Sequence, residues 1–138
     1  MNFDLRQHTI LLTMAGSHAY GMFTDTSDVD IKGVCIPPQK YRDGFLHHFE
    51  QADKKEHAVQ FFDLLPAQIR KAATDNGYDV AVYDLSKFMK LAADCNPNIL
   101  DALFCRDEDV LFADEFGKKL RAVRNLFLSK KALYTFRG

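Results

Sequence analysis

The apolar run Ile10-Leu11-Leu12-Thr13-Met14-Ala15 stops at Gly16-Ser17, and after a link of ten residues the chain reads Asp28-Val29-Asp30-Ile31-Lys32-Gly33-Val34. The run reads as a strand that begins at Thr9. The Gly-Ser step reads as a turn that hands it to a helix, whose first backbone N–H groups suit a phosphate. A second strand runs from 28 to about 36, where Pro37-Pro38 cannot continue a ladder. Side chains at i and i+2 share a face of a strand. Asp28, Asp30 and Lys32 therefore project together, with Val29, Ile31 and Gly33 on the other side. Paired carboxylates either share a proton or hold a divalent cation. A phosphate cradle at Gly16 and Ser17 beside metal-binding Asp28 and Asp30 is an arrangement for phosphoryl-transfer chemistry. Gly-Ser alone is an ordinary turn and Asp-x-Asp alone an ordinary surface loop; the ordered combination carries the inference.

The wording Gly16-Ser17-His18-Ala19-Tyr20-Gly21, then Ser27 through Val34, resembles the signature of the DNA-polymerase-beta-like nucleotidyltransferase superfamily. It is similar to one branch in particular, the predicted nucleotidyltransferases associated with RNA repair in bacteria and phages. Asn96-Pro97-Asn98-Ile99-Leu100-Asp101-Ala102-Leu103-Phe104 resembles that branch as well. The resemblance implies an α/β (α+β) fold, a small mixed β-sheet with helices packed on one face. It also implies Mg²⁺ (or Mn²⁺) held by Asp28, Asp30 and a third carboxylate on a neighbouring strand. A nucleoside triphosphate such as ATP would be held through Gly16 and Ser17, and nucleotidyl transfer would go to an acceptor hydroxyl. This branch suggests an RNA end as that acceptor.

Asn76-Gly77 is a turn signal that opens Tyr78-Asp79-Val80-Ala81-Val82-Tyr83, a run of β-branched and aromatic residues. The resemblance points to Asp79 as the third carboxylate, catalytic and metal-binding with Asp28 and Asp30. Asp84 competes. It falls on the opposite face of the strand from Asp79 and directly precedes Leu85-Ser86-Lys87-Phe88, where an aspartate is a natural helix cap. Lys32 also has two readings, a contact to the nucleotide phosphates or a plain surface charge.

The expected organisation is a catalytic core over residues 1–84, with an insertion over 52–76, and a helical segment over 85–138 that starts a longer helical part. Residues 41–50 read as a loop or exposed hairpin. The insertion has helical character, on the pattern Val59, Phe62, Leu65 and Ile69 with Phe61, and is interrupted at Pro66. A helix from about Leu85 would bury Leu85, Phe88, Met89 and Ala92 and stop at Cys95-Asn96-Pro97. Asn96 would cap the next helix, with Pro97 in its first turn and Ile99, Leu100, Leu103 and Phe104 inward. A last helical stretch covers about 114–128. His47, His48 and His57 lack the spacing of a closed zinc site and read as solvated.

The 138 residues, 47% of them hydrophobic and twelve of them Phe, suit one folded domain. No apolar run approaches the roughly 20 residues of a membrane span, so no membrane partner is expected. Cys35, Cys95 and Cys105 have no CxxC spacing, and Met1 to Arg6 lacks the pattern of a secretory signal; a reducing, cytoplasmic setting is expected. The net charge of −1 hides an asymmetry. Residues 117–138 hold seven of the eighteen basic residues and none of the nineteen acidic ones. Such a run is a solvated helix face, or it attracts a triphosphate or a nucleic-acid backbone. The competing functional reading is a non-catalytic module of the same fold that binds nucleotide, RNA or a partner protein.

Overall fold

The computed structural model describes residues 3–15, 29–43, 48–76 and 78–128. Strands β1 (Thr9–Ala15), β2 (Val29–Cys35), β3 (Gln51–Ala52), β4 (Tyr78–Asp84) and β5 (Val110–Ala113) form one mixed sheet in the order β3-β4-β2-β1-β5. Only β2 and β4 run parallel; every other neighbouring pair is antiparallel. The described helices are α1 (Leu5–His8), α2 (Gln39–Asp43), α3 (Lys55–Ala58), α4 (Ala67–Asn76), α5 (Leu85–Ala93), α6 (Pro97–Leu103) and α7 (Glu115–Ala122). The fold is α+β, as expected.

Parallel neighbours need a crossover, and the chain between β2 and β4 supplies it. Within it, α3, a 3₁₀ turn over Val59–Leu64, and α4 span the stretch expected as an insertion. Its side chains Phe61, Leu65, Ile69 and Ala73 join Leu12, Met14, Ile31, Val80 and Val82 in one apolar layer. Val59, part of the apolar pattern of that stretch, is 72% exposed. A 3₁₀ turn repeats every three residues, so Ala58 and Phe61 share the inner row and Val59 falls off it. Helix α2 begins directly after Pro37-Pro38 and runs through residues 41–43, the start of the stretch where a loop or hairpin was expected.

The second layer lies on the other face. Ile10, Leu11 and Val34 pack there against Phe88, Ala92, Ile99, Leu100, Leu103 and Leu120 from α5, α6 and α7. Helices thus cover both faces of the sheet, where the sequence led to an expectation of one. The cause is β2 and β1 themselves. Ile31 and Cys35 point to one layer and Val34 to the other, and a register shift between Thr9 and Leu11 turns both Ile10 and Leu11 toward the second. A strand apolar on both sides needs cover on both.

Helix α5 starts where Asp84 accepts a hydrogen bond from the Lys87 backbone N–H at 3.2 Å. Phe88 and Ala92 are buried as expected, whereas Leu85 is half-buried and Met89 is 42% exposed. The inner row is the i, i+4 pair of Phe88 and Ala92, continued by Cys95. Cys95 takes a φ of 62°, the left-handed position that closes helices. Asn96 then caps α6 through its side chain, with Pro97 in the first turn. Ile99, Leu100 and Leu103 are buried and Phe104 half-buried. Beyond α6 the chain is not purely helical: β5 pairs with β1 and extends the sheet. Asp114 caps α7, and Gly117 brings that helix against β1 so closely that an added Cβ would stand 2.0 Å from the Ile10 carbonyl oxygen. The stretch expected to be helical to 128 ends as α7 and a 3₁₀ turn over Arg124–Phe127.

Candidate active site

Strand register assembles the described part of the site. Asp30 on β2 is the partner of Ala15 on β1 and of Asp79 on β4. Register partners in a sheet present their side chains to the same face, on strands about 4.8 Å apart, so two carboxylates distant in sequence stand side by side. Since β1 is antiparallel to β2 and β2 is parallel to β4, the end of β1 and the starts of β2 and β4 meet at one end of the sheet. Gly16, Ser17 and Asp28 lie outside the described residues.

The carboxylates belong to the face covered by α5, α6 and α7. That cover is complete over Val34 (0% exposed) and nearly so over Ala81 (8%), and it ends at Asp30, whose side chain is 38% exposed. Asp79 is exposed. The pair sits at the open rim of an apolar layer, accessible to a ligand and bounded by low-dielectric packing on one side. Lys32, two residues along the same face, puts its Nζ 3.4 Å from Asp30 Oδ1 with only 18% of its side chain exposed. Its register partners are Thr13 and Ala81. Thr13 is buried and donates its hydroxyl to the Lys32 backbone carbonyl at 3.4 Å.

Asp84 occupies the other end of β4, in register with Cys35, and its carboxylate caps α5. Of the two residues that compete in the sequence, Asp79 stands beside Asp30 and Asp84 does not. His48 lies 3.5 Å from Glu50 and His57 3.7 Å from Glu56. No group of three His, Cys, Asp or Glu side chains able to hold a metal occurs among the described residues. His47 is outside them. The donors that Asp30 and Asp79 offer are hard carboxylate oxygens, which suit Mg²⁺ or Mn²⁺ rather than a softer ion.

The basic run divides by burial. Helix α7 starts beside Ile10, to whose carbonyl the Asp114 backbone N–H donates at 3.0 Å. Its far end reaches the turn before β5, where Val110 is in register with Thr13. Arg121 there is buried, bound to Asp107 at 3.2 Å and to the Cys105 carbonyl. It locks α7 to the turn, while Lys118 and Lys119 are exposed. The sequence pattern groups these cations together; only the packing separates Arg121, and Arg124 which donates to the Arg121 carbonyl at 2.8 Å, from the exposed lysines. Among the described residues, no helix is long and apolar enough to cross a membrane.

No solved structure matches this chain. An uncharacterized 38.9 kDa protein in the nrdC-mobD intergenic region of Enterobacteria phage T4 is 34% identical over 106 residues, covering 77% of this chain and 28% of the phage protein. The chain thus spans well under half the length of that relative. A family model for RlaP, the RNA repair pathway DNA polymerase beta family, matches residues 4–138. Carrying that match over almost its whole length, the chain belongs to the RNA repair pathway DNA polymerase beta family.

Proposed function

We propose that this domain is the catalytic core of a metal-dependent nucleotidyltransferase, which moves a nucleoside monophosphate from a nucleoside triphosphate to an acceptor hydroxyl. Family membership supports the class of reaction. The observation that carries the reading for these residues is the register of Asp30 with Asp79. Asp28, Asp30 and Asp79 would hold Mg²⁺ or Mn²⁺. When bound, the ions supply charge neutralisation on the phosphates and acidify the attacking hydroxyl.

The chain's own residues do the remainder. Gly16 and Ser17 offer N–H and hydroxyl donors to the phosphates, and Lys32 supplies a cation on the same face. The acceptor oxygen bonds to the α-phosphorus, the bond from that phosphorus to the bridging oxygen breaks, and pyrophosphate leaves. The hydroxyl proton passes to a carboxylate at this rim. The family description favours an RNA end as acceptor, and the exposed Lys118 and Lys119 agree with it in sign.

The experiment is incubation with each labelled nucleoside triphosphate, Mg²⁺ and RNA oligonucleotides bearing different termini, alongside Asp30→Asn and Asp79→Asn. Label in RNA from the wild-type chain and not from the variants supports the reading. Metal-dependent triphosphate binding without transfer to any acceptor would favour the non-catalytic module instead.

A further inference from the structure

We propose that Lys32 is a built-in counter-ion of the carboxylate pair, one that holds Asp30 when no metal is present and is displaced by the metal toward the substrate's phosphates. The inference rests on the proposed metal site and concerns how that site is regulated. Asp30 and Asp79 are like charges on directly opposed positions of adjacent strands, which is unfavourable without a cation between or beside them. Lys32 provides one. Its Nζ is 3.4 Å from Asp30 Oδ1, and Asp30 is the only carboxylate in ion-pair distance of it among the described residues.

Among the described residues, the neighbours of Lys32 leave the ammonium little other choice. On either side its register partners are Thr13 and Ala81, small and uncharged, and the next residue on its own face is the fully buried Val34. With 18% of its side chain exposed, the lysine lies along the sheet with its charged end directed to the rim. A divalent cation bound by Asp30 repels that ammonium. The lysine is then free to pair with an anion carried by the metal, and a triphosphate is such an anion. Metal and triphosphate binding therefore become coupled through one side chain, and the coupling must act equally in both directions.

Opposite signs for two ligands are the signature. Replacing Lys32 by Met removes a competitor of the metal, so Mn²⁺ alone binds more tightly. A partly exposed ion pair is worth up to about 1 kcal/mol, which corresponds to a gain of up to about fivefold. The same variant binds Mg²⁺-free triphosphate no better than wild type, and it binds triphosphate in the presence of Mn²⁺ several-fold more weakly. Lys32→Arg retains the charge and restores both values toward wild type.

Mn²⁺ binding followed by electron paramagnetic resonance of the free ion, without nucleotide, measures the first effect on wild type, Lys32→Met, Lys32→Arg and Asp30→Asn. Thermal melting checks that each variant folds. Tighter Mn²⁺ binding in Lys32→Met with weaker Mn²⁺-dependent triphosphate binding supports the proposal. Unchanged or weaker Mn²⁺ binding in a folded Lys32→Met, with Asp30→Asn losing the ion, overturns the counter-ion role and leaves the metal site standing. Absence of bound Mn²⁺ in wild type and all variants overturns the metal site itself, and the counter-ion role with it.

Discussion

Asp30 and Asp79 are register partners on adjacent parallel strands, one at the start of β2 and one at the start of β4. Their closeness is a product of the crossover between the strands, whose side chains Phe61, Leu65 and Ile69 pack on the face opposite the carboxylates. The scaffold that fixes the pair is therefore buried beneath the sheet, while the pair itself opens at its rim.

Replacing either carboxylate by its amide should separate chemistry from stability. A metal clamp of the proposed kind would supply several kcal/mol of transition-state stabilisation, so Asp30→Asn and Asp79→Asn should each lower nucleotidyl transfer by about a hundredfold or more. In metal-free buffer, Asp79→Asn should melt no lower than wild type, because it removes a like-charge pair. Transfer rates and melting curves on the same preparations check both halves.

Asp84→Ala should do the reverse. Its carboxylate caps α5 through the Lys87 N–H, and losing such a cap costs about 1 kcal/mol. Urea denaturation should show that loss, while transfer under conditions where the variant is folded stays close to wild type. A variant with full stability and no activity would exchange the roles assigned to Asp79 and Asp84.

Gly117→Ala tests the contact of α7 with β1. The new methyl group would stand 2.0 Å from the Ile10 carbonyl oxygen, a backbone atom that cannot rotate away. Overpacking of this kind costs about 3 kcal/mol or more, visible as a lowered denaturation midpoint. A Cβ added at Gly33 would stand 2.9 Å from Leu12 Cδ1 and 3.0 Å from the Leu11 carbonyl oxygen; the side-chain methyl can move aside and the backbone contact is looser than the 2.0 Å one at Gly117, so Gly33→Ala should cost less.

Cys35 gives the pH dependence. It is fully buried, and burial, with a smaller contribution from the Asp84 carboxylate, pushes its thiol from the ordinary value of 9.0 up to about 12. Between these values the folded chain keeps a proton that the unfolded chain has lost, so this group's contribution is fully present below pH 9 and is lost as the pH rises toward 12. Stability measured across that window should fall faster in wild type than in Cys35→Ala. Iodoacetamide at pH 8 should modify the partly exposed Cys105 before Cys35 in the native protein.

Much of the local structure could be read directly. The start of β1 at Thr9, the stop of β2 before Pro37, the cap of α5 by Asp84 and the cap of α6 by Asn96 all follow from residues within a few positions of the event. What escaped is non-local or a matter of phase. Val110 to Ala113 is too short to announce a strand, and only its pairing with β1 makes it one. Cover on both faces depends on where Val34 and Ile10 find partners. The alternation of β2 placed Asp30 and Lys32 on one face, but the register of β4 brings Asp79 beside Asp30, and register between distant strands is written in packing rather than in local pattern. Arg121 looked like its basic neighbours until Asp107 and the Cys105 carbonyl were seen to enclose it.

Calorimetric titration of ATP into the protein, with and without Mg²⁺ and repeated on Asp30→Asn, bears most directly on the proposed metal-dependent nucleotide site. The account predicts binding that requires Mg²⁺ and weakens by about tenfold or more in the variant, a loss of about 1.4 kcal/mol or more. Binding of equal strength without Mg²⁺, or undiminished in a folded Asp30→Asn protein, would contradict it.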